Sequence, residues 1–304
     1  MENNSKPTEK RIAVVTGANK GIGLEIVRQL ANNGIMVLLT ARDEKRGTEA
    51  VEKLLNSGVS DVLFHQLDVS DSSSVVSLAQ FIKTKFGKLD ILINNAGVGG
   101  ATLALPDQYA ESKDRSVEFE AARMFKMISA STETFDGAKE CLEINYYGTK
   151  KVTEQLIQLL QLSDSPRIVN LSSVFGKLEL IRNERISEKL SDRNGITEEE
   201  LDELLKTFLH DFKEGKLESN GWPIGLSAYK VSKIAINAYT KILAKKFPTF
   251  CINSVHPGFV STDMSANIGT MSPEEGANGP VMLALLPNNG PSGCFFMENK
   301  PSSF

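Results

Sequence analysis

Tyr229 and Lys233 are the residues of this 304-residue chain whose types and spacing suggest chemistry. They stand four apart in LSAYKVSK, where an apolar-periodic run predicts a helix over residues 226–247. Side chains at this spacing share one face of a helix, and a phenol beside an ammonium can transfer a proton near neutral pH. Many helices contain such a pair by chance, so other motifs in the sequence must show whether this pair is catalytic. Tyr239 has Leu243 four residues further on and is interpreted as a packing residue.

Composition and charge argue against several classes of protein. The chain is 41% hydrophobic and 24% charged, as in ordinary globular proteins, and its net charge of −4 disfavours a nucleic-acid partner. No apolar run approaches the roughly 18 residues of a membrane span. The polar start, MENNSKPTEK, is unlike a secretory signal. Cys141, Cys251 and Cys294 predict reduced, buried thiols in a cytoplasmic protein, and the three histidines show no metal-site spacing.

The order of apolar runs and helical patterns predicts the fold class. Strands are predicted at residues 12–17, 35–41, 62–68, 90–97, 167–173, 250–258 and 294–296. Helical patterns include residues 43–55, 139–162 and 226–247. Strands alternating with helices are typical of βαβ units. We therefore expect an α/β fold with a doubly wound parallel sheet (a Rossmann fold), built as a single domain over residues 1–304.

Two segments interrupt the alternation. Residues 98–138 contain the apolar side chains Phe119, Met124, Phe125, Met127 and Ile128. These side chains can line an adaptable pocket or form a small separate core. We favour the first interpretation, in which the segment is a lid that covers the bound substrate. Residues 176–223 contain a capping box, Thr197 to Glu200, that begins an amphipathic helix. Its apolar face holds Leu201, Leu204, Leu205, Phe208 and Phe212.

The segment TGANKGIG, residues 16–23, connects the first predicted strand to the first predicted helix. Gly17, Gly21 and Gly23 follow the spacing G-x3-G-x-G. Small residues here allow the backbone to approach a pyrophosphate, which the N–H groups and the positive end of the helix then hold. Any tight strand-to-helix turn also favours glycine. Its position in the first βαβ unit nevertheless indicates dinucleotide binding.

The end of the second strand indicates which dinucleotide is bound. The strand ends at Arg42, and Lys20 lies within the glycine loop. Two cations near the adenosine ribose attract a 2′-phosphate, which favours NADPH over NADH. Asp43 is interpreted as the N-cap of the following helix, directed away from the ribose. The alternative for both cations is solvated surface charge.

Five motifs in this order resemble the short-chain dehydrogenase/reductase family. They are TGANKGIG, NNAG at residues 94–97, the two serines of VNLSSVFG, YKVSK, and PGFVSTD at residues 257–263. NYYGTK, LLQLSDSPRIVN, the insertion ending in NGWP and LLPNNGPSGCFF resemble the plant branch that contains salutaridine reductase and the menthone reductases. Animal carbonyl reductase is similar but more distant.

The resemblance assigns roles to four catalytic residues. Tyr229 would give a proton to the alkoxide that forms, and Lys233 would hold the nicotinamide ribose. Together with the oxidised nicotinamide, Lys233 would lower the effective pKa of the phenol toward working pH. Ser173 would stabilise the oxyanion, and its rival Ser172 should face the other way in an extended segment. Asn145 matches a residue supporting a water-linked proton path; alternatively it satisfies local backbone groups.

The remaining cofactor contacts are carried over from the family pattern position by position. They comprise the glycine loop, the adenine contacts after the third strand, the NNAG loop beneath the ribose and nicotinamide, and the segment beside the carboxamide. The positions are Gly17, Asn19, Lys20, Gly21, Ile22, Gly23, Arg42, Asp68, Val69, Asn95, Ala96, Gly97, Tyr229, Lys233, Pro257, Gly258, Val260 and Thr262.

The leading functional hypothesis is an NADPH-dependent carbonyl reductase that converts a bulky apolar cyclic ketone, a terpenoid or an alkaloid, to a secondary alcohol. The alternatives are alcohol oxidation with NADP, reduction of a conjugated C=C bond, and a nucleotide-binding regulatory protein without catalysis. The resemblance also implies a monomer, because the helix of the 176–223 insertion would cover the helices through which most family members dimerise. The alternative is a surface addition that leaves this interface free.

Overall fold

The computed structural model describes residues 10–103, 116–191, 195–297 and 299–304. The N-terminal residues before Lys10 and residues 104–115 of the predicted lid therefore lie outside the described residues. The strands are β1 (Ile12–Val15), β2 (Met36–Ala41), β3 (Val62–Gln66), β4 (Ile91–Asn94), β5 (Ala101–Leu103), β6 (Ser131–Glu133), β7 (Arg167–Leu171), β8 (Cys251–His256), β9 (Phe295–Met297) and β10 (Lys300–Ser302). The helices are α1 (Gly21–Asn32), α2 (Glu44–Asn56), α3 (Ser72–Phe86), α4 (Val117–Ser129), α5 (Phe135–Leu142), α6 (Thr149–Leu160), α7 (Glu184–Ser191), α8 (Glu198–Lys213), α9 (Ser227–Lys246) and α10 (Pro273–Ala284).

Eight strands form one sheet in the order β10-β9-β8-β7-β4-β1-β2-β3. Neighbouring strands run parallel except β9 and β10. β5 and β6 form a separate antiparallel pair. The strand order reverses between β1 and β4, which is where ligands bind in doubly wound sheets. The predicted fold class is confirmed.

Alternate residues of each central strand face opposite sides of the sheet and build two cores. Ile12 and Val14 of β1 belong to a cluster with residues of α3, α5, α6, α8 and α9. Ala13 and Val15 belong to a second cluster with residues of α1, α2 and α10. All four side chains are buried, which explains why this strand is a continuous apolar run.

The predicted helix over residues 139–162 is interrupted. α5 leads into a π-helical turn, Glu143–Gly148, and α6 follows directly. A π turn contains an additional residue per turn and often occurs at functional sites. Here it contains Asn145, whose amide group bonds the backbone of the neighbouring 97–98 loop. The apolar periodicity of residues 139–162 did not predict this turn.

The other differences concern strand ends and elements that were not predicted. Several predicted strands run past the observed ends because the chain leaves the sheet there and bends into the loops of the cleft. At the end of β1, Gly17 has φ of +62°. The elements that the sequence pattern did not reveal are α4, β5, β6, α7, α10 and β10.

Within the 176–223 insertion, α8 begins with the predicted capping box of Thr197 and Glu200. Its apolar face packs on the face of the core that α5 and α9 also cover. The fully buried residues of that face are Leu201, Leu205 and Phe208. Asp202 accepts a hydrogen bond from Tyr146 Oη and forms an ion pair with Lys150, both at 2.8 Å. The insertion is thus fastened to the helices beside the catalytic motif.

Candidate active site

The glycine loop and the NNAG segment are bonded to each other at the carboxyl edge of the sheet. Asn95 Nδ2 donates to the carbonyl groups of Thr16 and Gly17, at 2.8 and 3.0 Å. Thr16 Oγ1 accepts from the N–H groups of Asn95 and Ala96, at 3.0 and 2.9 Å. A Cβ at Gly17 would lie 2.9 Å from Ala96 Cα. The side chain of Asn95 therefore holds the loop, and Thr16 is a supporting residue that sequence reasoning missed.

The N-terminus of α1 fits a phosphate group. No side chain caps its first turn, and no acidic residue lies in that turn. By contrast, Asp43 caps α2, as predicted, and Asp71 caps α3. Uncapped N–H groups and the positive helix end suit an anion such as the diphosphate of a dinucleotide.

The two cations expected near the 2′-position differ in their surroundings. Lys20 directly precedes α1 and forms an ion pair with Asp263. Both side chains are exposed, and such pairs contribute little stability. Arg42 follows β2 and is exposed, and within the described residues its guanidinium has no ion-pair partner. Arg42 is therefore the cation that is ready to bind a phosphate, whereas Lys20 would have to exchange its partner.

The other expected cofactor positions lie at the same edge of the sheet. Asp68 follows β3, and its Oδ1 accepts from Ser70 N and Ser70 Oγ, at 2.9 and 2.6 Å. Val69, the next residue, is buried. After β8, Val260 forms a β-bridge with Met271. The remaining residues after β8 that were expected at the cofactor are Pro257, Gly258 and Thr262.

Lys233 and Tyr229 share the face of α9 that meets the end of β7. Lys233 Nζ donates to the carbonyl oxygen of Leu171 at 2.8 Å and lies 5.5 Å from the centroid of the Tyr229 ring. The side chain of Lys233 is buried. The structure thus brings the pair together, with the ammonium held by the strand.

The two serines after β7 face different partners. The Ser173 hydroxyl lies close to that of Tyr229 and favours its ionised form, and Ser173 Oγ accepts a hydrogen bond from Phe175 N at 3.2 Å. Ser172 Oγ donates instead to the carbonyl oxygen of Lys233 at 3.4 Å. The hydroxyl beside the tyrosine is therefore that of Ser173, as the alternation of an extended segment predicts.

Burial determines the protonation of this pair. It raises the pKa of Tyr229 to about 12, and the hydrogen bond from Ser173 opposes that rise only in part. It also lowers the pKa of Lys233 to about 8. In the chain without a cofactor, desolvation outweighs the charge of the Lys233 ammonium, which is directed at Leu171. The expected lowering of the phenol pKa includes the charge of the oxidised nicotinamide and stays a prediction. At pH 7 the phenol carries its proton.

Asn145 is held by contacts that sequence reasoning did not anticipate. Its Oδ1 accepts from Val98 N at 2.8 Å, and its Nδ2 donates to Val98 O and Ser232 Oγ, both at 3.0 Å. Ser232 is fully buried and donates to the carbonyl oxygen of Tyr229 at 2.7 Å. The π turn is thus bonded both to the 97–98 loop and to α9.

The cysteines take no part in disulfides. Cys141 lies 3.3 Å from Asn145 Nδ2, and burial raises the pKa of its thiol to about 12. Cys251 is buried as well. Cys294 is partly exposed, so the interpretation of all three as buried was wrong for this residue. It follows Gly293 and directly precedes β9.

A cavity of about 280 Å³ opens beside Tyr229 and Ser173. Its wall is mainly apolar and rich in methionine, with contributions from α4 of the first insertion. The methionines are Met124, Met127, Met264, Met271 and Met297. Methionine side chains adapt to irregular ligands, so the cavity suits a bulky apolar molecule. Phe125, which was also expected at a lid, is two-thirds exposed instead.

Two kinds of feature are absent from the described part of the chain. No cluster of three or more His, Cys, Asp or Glu residues there could hold a metal ion. No helix among these residues is both long and apolar enough to cross a membrane.

Comparisons with known proteins show the family to which this chain belongs. Residues 11–184 match the short chain dehydrogenase family. The (−)-isopiperitenone reductase of Mentha piperita is 52% identical over 96% of this chain and 97% of its own length. Mouse carbonyl reductase [NADPH] 1 is 37% identical over 96% of this chain and 98% of its own. The chain belongs to the short-chain dehydrogenase/reductase family and is an oxidoreductase of the kind that uses a nicotinamide cofactor.

A solved structure shows which branch of the family this chain resembles. Salutaridine reductase from Papaver somniferum superimposes with a TM-score of 0.89 at 51% sequence identity, covering 95% of this chain and all of the other. The resemblance to the branch that contains this reductase is thereby confirmed.

Proposed function

We propose that this protein is an NADPH-dependent carbonyl reductase that converts a bulky apolar cyclic ketone, a terpenoid or an alkaloid, to a secondary alcohol. The observation that carries the proposal is the neighbouring pair of Ser173 and Tyr229 hydroxyls at the wall of a methionine-rich cavity. A ketone oxygen placed between two hydroxyl groups can be polarised and protonated there.

Each residue of the site has a task in this reaction. NADPH, when bound, supplies the hydride. Tyr229 gives its proton to the ketone oxygen, and Ser173 donates a hydrogen bond to the same oxygen as its charge develops. Lys233, while protonated, favours the phenolate that results and can bond the ribose hydroxyls of the cofactor. Asn145 holds the π turn against the 97–98 loop and α9.

The protonation state of Tyr229 supports the reductive direction. With a pKa near 12, the phenol is a proton donor at neutral pH and a poor base. Alcohol oxidation needs the phenolate, and it would depend on the positive charge of the oxidised nicotinamide to form it. The same residues catalyse both directions, but the chain by itself presents the form that reduction uses.

The preference for NADPH rests on Arg42. In Arg42→Ala we expect the KM for NADPH to rise about 10- to 100-fold and the KM for NADH to change less than about twofold, because only the 2′-phosphate loses its charged partner. Steady-state kinetics with both cofactors measures this. Lys206→Ala removes an exposed cation from α8, on the side away from the core, and serves as the charge-matched control. An equal effect on both cofactors would refute the assignment.

We also propose a monomer in the cytoplasm. α8 occupies the surface of α9 and the π turn near the catalytic motif, where Tyr146 and Lys150 bond Asp202. Sedimentation at micromolar concentration is expected to give the mass of one chain. A dimer would show that α8 does not prevent dimerisation by covering this surface. Three unpaired cysteines suit a reducing compartment.

The function is tested by following NADPH consumption with a panel of cyclic terpenoid and polycyclic amine ketones and identifying the products by mass. An alcohol two mass units heavier than its ketone, distinguished by NMR from the saturated ketone of equal mass that C=C reduction gives, supports the proposal. A panel of bulky ketones left entirely unreduced, by protein shown to bind NADPH, would argue against it.

A further inference from the structure

One carboxylate lies in the described wall of the mainly apolar cavity. Three titratable side chains line it within the described residues: Glu120, Tyr229 and His256. Burial lowers the pKa of His256 to about 4, and Tyr229 is protonated at neutral pH, so both are uncharged there. Glu120 is therefore the formal charge that the described wall presents to a ligand.

The position of Glu120 is fixed by the fold. Glu120, Met124 and Met127 are spaced i, i+4 and i+7 on α4, and all three line the cavity. Glu120 Oε2 accepts from Thr270 Oγ1 at 2.7 Å. The buried Arg123, also on α4, donates from Nη1 to the carbonyl oxygen of Ile268 at 2.8 Å. These two contacts fasten α4 to the segment that follows the 3₁₀ turn at residues 263–265.

A ligand that fills the cavity changes the solvation of this carboxylate. A neutral apolar ligand would displace water from Glu120 and leave a charge whose partner in the described chain is a single hydroxyl. A carboxylate can accept about four hydrogen bonds. An ammonium group on the ligand would replace the lost water with a charge-assisted hydrogen bond, which is stronger than a neutral one.

We propose that Glu120 determines substrate specificity, and that the preferred substrate is a bulky cyclic ketone carrying a protonated amine. This inference rests on the proposed ketone reduction, and it specifies which of the bulky cyclic ketones the protein prefers. Glu120 and Met127 are separated by about 10 Å along α4. Met127 belongs to the apolar cluster on which Tyr229 packs. The ammonium therefore belongs at the Thr270 end of α4, away from the carbonyl group.

The competing explanation is that Glu120 only fastens α4 to Thr270. Two variants separate the possibilities. Glu120→Gln keeps the size and an acceptor for the Thr270 hydroxyl but removes the charge. Thr270→Val removes the hydroxyl contact and keeps the charge. A purely structural role predicts that both variants affect all ligands alike.

The experiment uses two polycyclic ketones that differ only in a tertiary amine nitrogen or a CH group at the same ring position. In Glu120→Gln we expect the KM of the amine ketone to rise about 10- to 100-fold with kcat nearly unchanged, while the KM of the carbon analogue does not rise. Thr270→Val should shift both substrates to a similar extent. Equal effects of Glu120→Gln on the two ketones would overturn the proposal.

Calorimetry with a ketone-free tertiary amine of the same ring system provides a readout that does not need turnover. The wild-type protein should bind this amine at least about tenfold more tightly than Glu120→Gln does, and the gap should close at a pH above the pKa of the ligand amine. Equal binding by both proteins would refute the role of Glu120. If neither ketone is reduced but the amine binding still depends on Glu120, the proposed function fails and the binding inference stands.

Discussion

Tyr229→Phe is expected to lose ketone reduction by a factor of hundreds or more. The phenol hydroxyl is the group beside Ser173 that can protonate the ketone oxygen, and a positioned general acid contributes about 10²- to 10⁴-fold. Phenylalanine keeps the ring that packs near Phe175, so the fold and the cavity should survive. The variant should therefore bind NADPH as the wild type does while kcat falls, which fluorescence titration and steady-state kinetics would measure.

Tyr239→Phe is the matched control on the same helix. The Tyr239 side chain is fully buried, and its hydroxyl has no hydrogen-bond partner among the described residues. Removing that hydroxyl should leave kcat within about twofold and should not lower the free energy of unfolding, because no bond is lost. Similar losses of activity in the two variants would mean that the site tolerates neither change for structural reasons, and the proton-transfer role of Tyr229 would lose its support.

Lys233→Met is expected to lose activity and to gain stability at neutral pH. The ammonium is the nearby cation that favours the phenolate, and loss of one such electrostatic group typically costs about 100-fold or more in kcat. Its burial lowers the pKa from 10.5 to about 8, so the folded chain holds a proton less readily than the unfolded chain. This difference destabilises the folded wild type below pH 8 by on the order of 3 kcal/mol. The Lys233→Met variant recovers this free energy of unfolding but loses the hydrogen bond to Leu171, which costs about 1 kcal/mol.

The pH dependence distinguishes this account from a general packing effect. Between pH 8 and 10.5 the unfolded wild-type chain binds a proton at Lys233 that the folded chain has released, so the stability of the wild type rises with pH across this window. The variant lacks this rise. Urea unfolding of the cofactor-free proteins should therefore show the variant more stable at pH 7 and the difference shrinking toward pH 10. A constant difference would contradict the pKa shift.

The parts of the site that the sequence predicted are those set by local spacing. The helical period placed Tyr229 and Lys233 on one face, and the extended alternation separated Ser173 from Ser172. Asp43 was identified as a cap because capping depends on the residues of the first helical turn. Each of these inferences uses contacts within a few residues, which a single sequence can reveal.

The features that the sequence did not reveal depend on partners distant in sequence. The π turn follows from bonds between Asn145 and the 97–98 loop, and the raised pKa of Tyr229 follows from burial by the whole fold. The Lys20–Asp263 pair joins residues 243 positions apart. α10 was missed because its two glycines after the first turn and its internal proline hid the helical period, although its capping box from Ser272 to Glu275 was present in the sequence.

The position of the transferred hydride on the product tests the central claim most directly. NADPH deuterated at its transferable position would be supplied with a bulky cyclic ketone whose carbonyl is conjugated to a C=C bond. If Tyr229 and Ser173 direct the carbonyl oxygen, the deuterium must appear on the carbinol carbon of an alcohol, in the wild type and far more slowly in Tyr229→Phe. Deuterium at the carbon β to an intact carbonyl, at a rate that Tyr229→Phe does not change, would contradict the proposed reaction and the role of its proton donor.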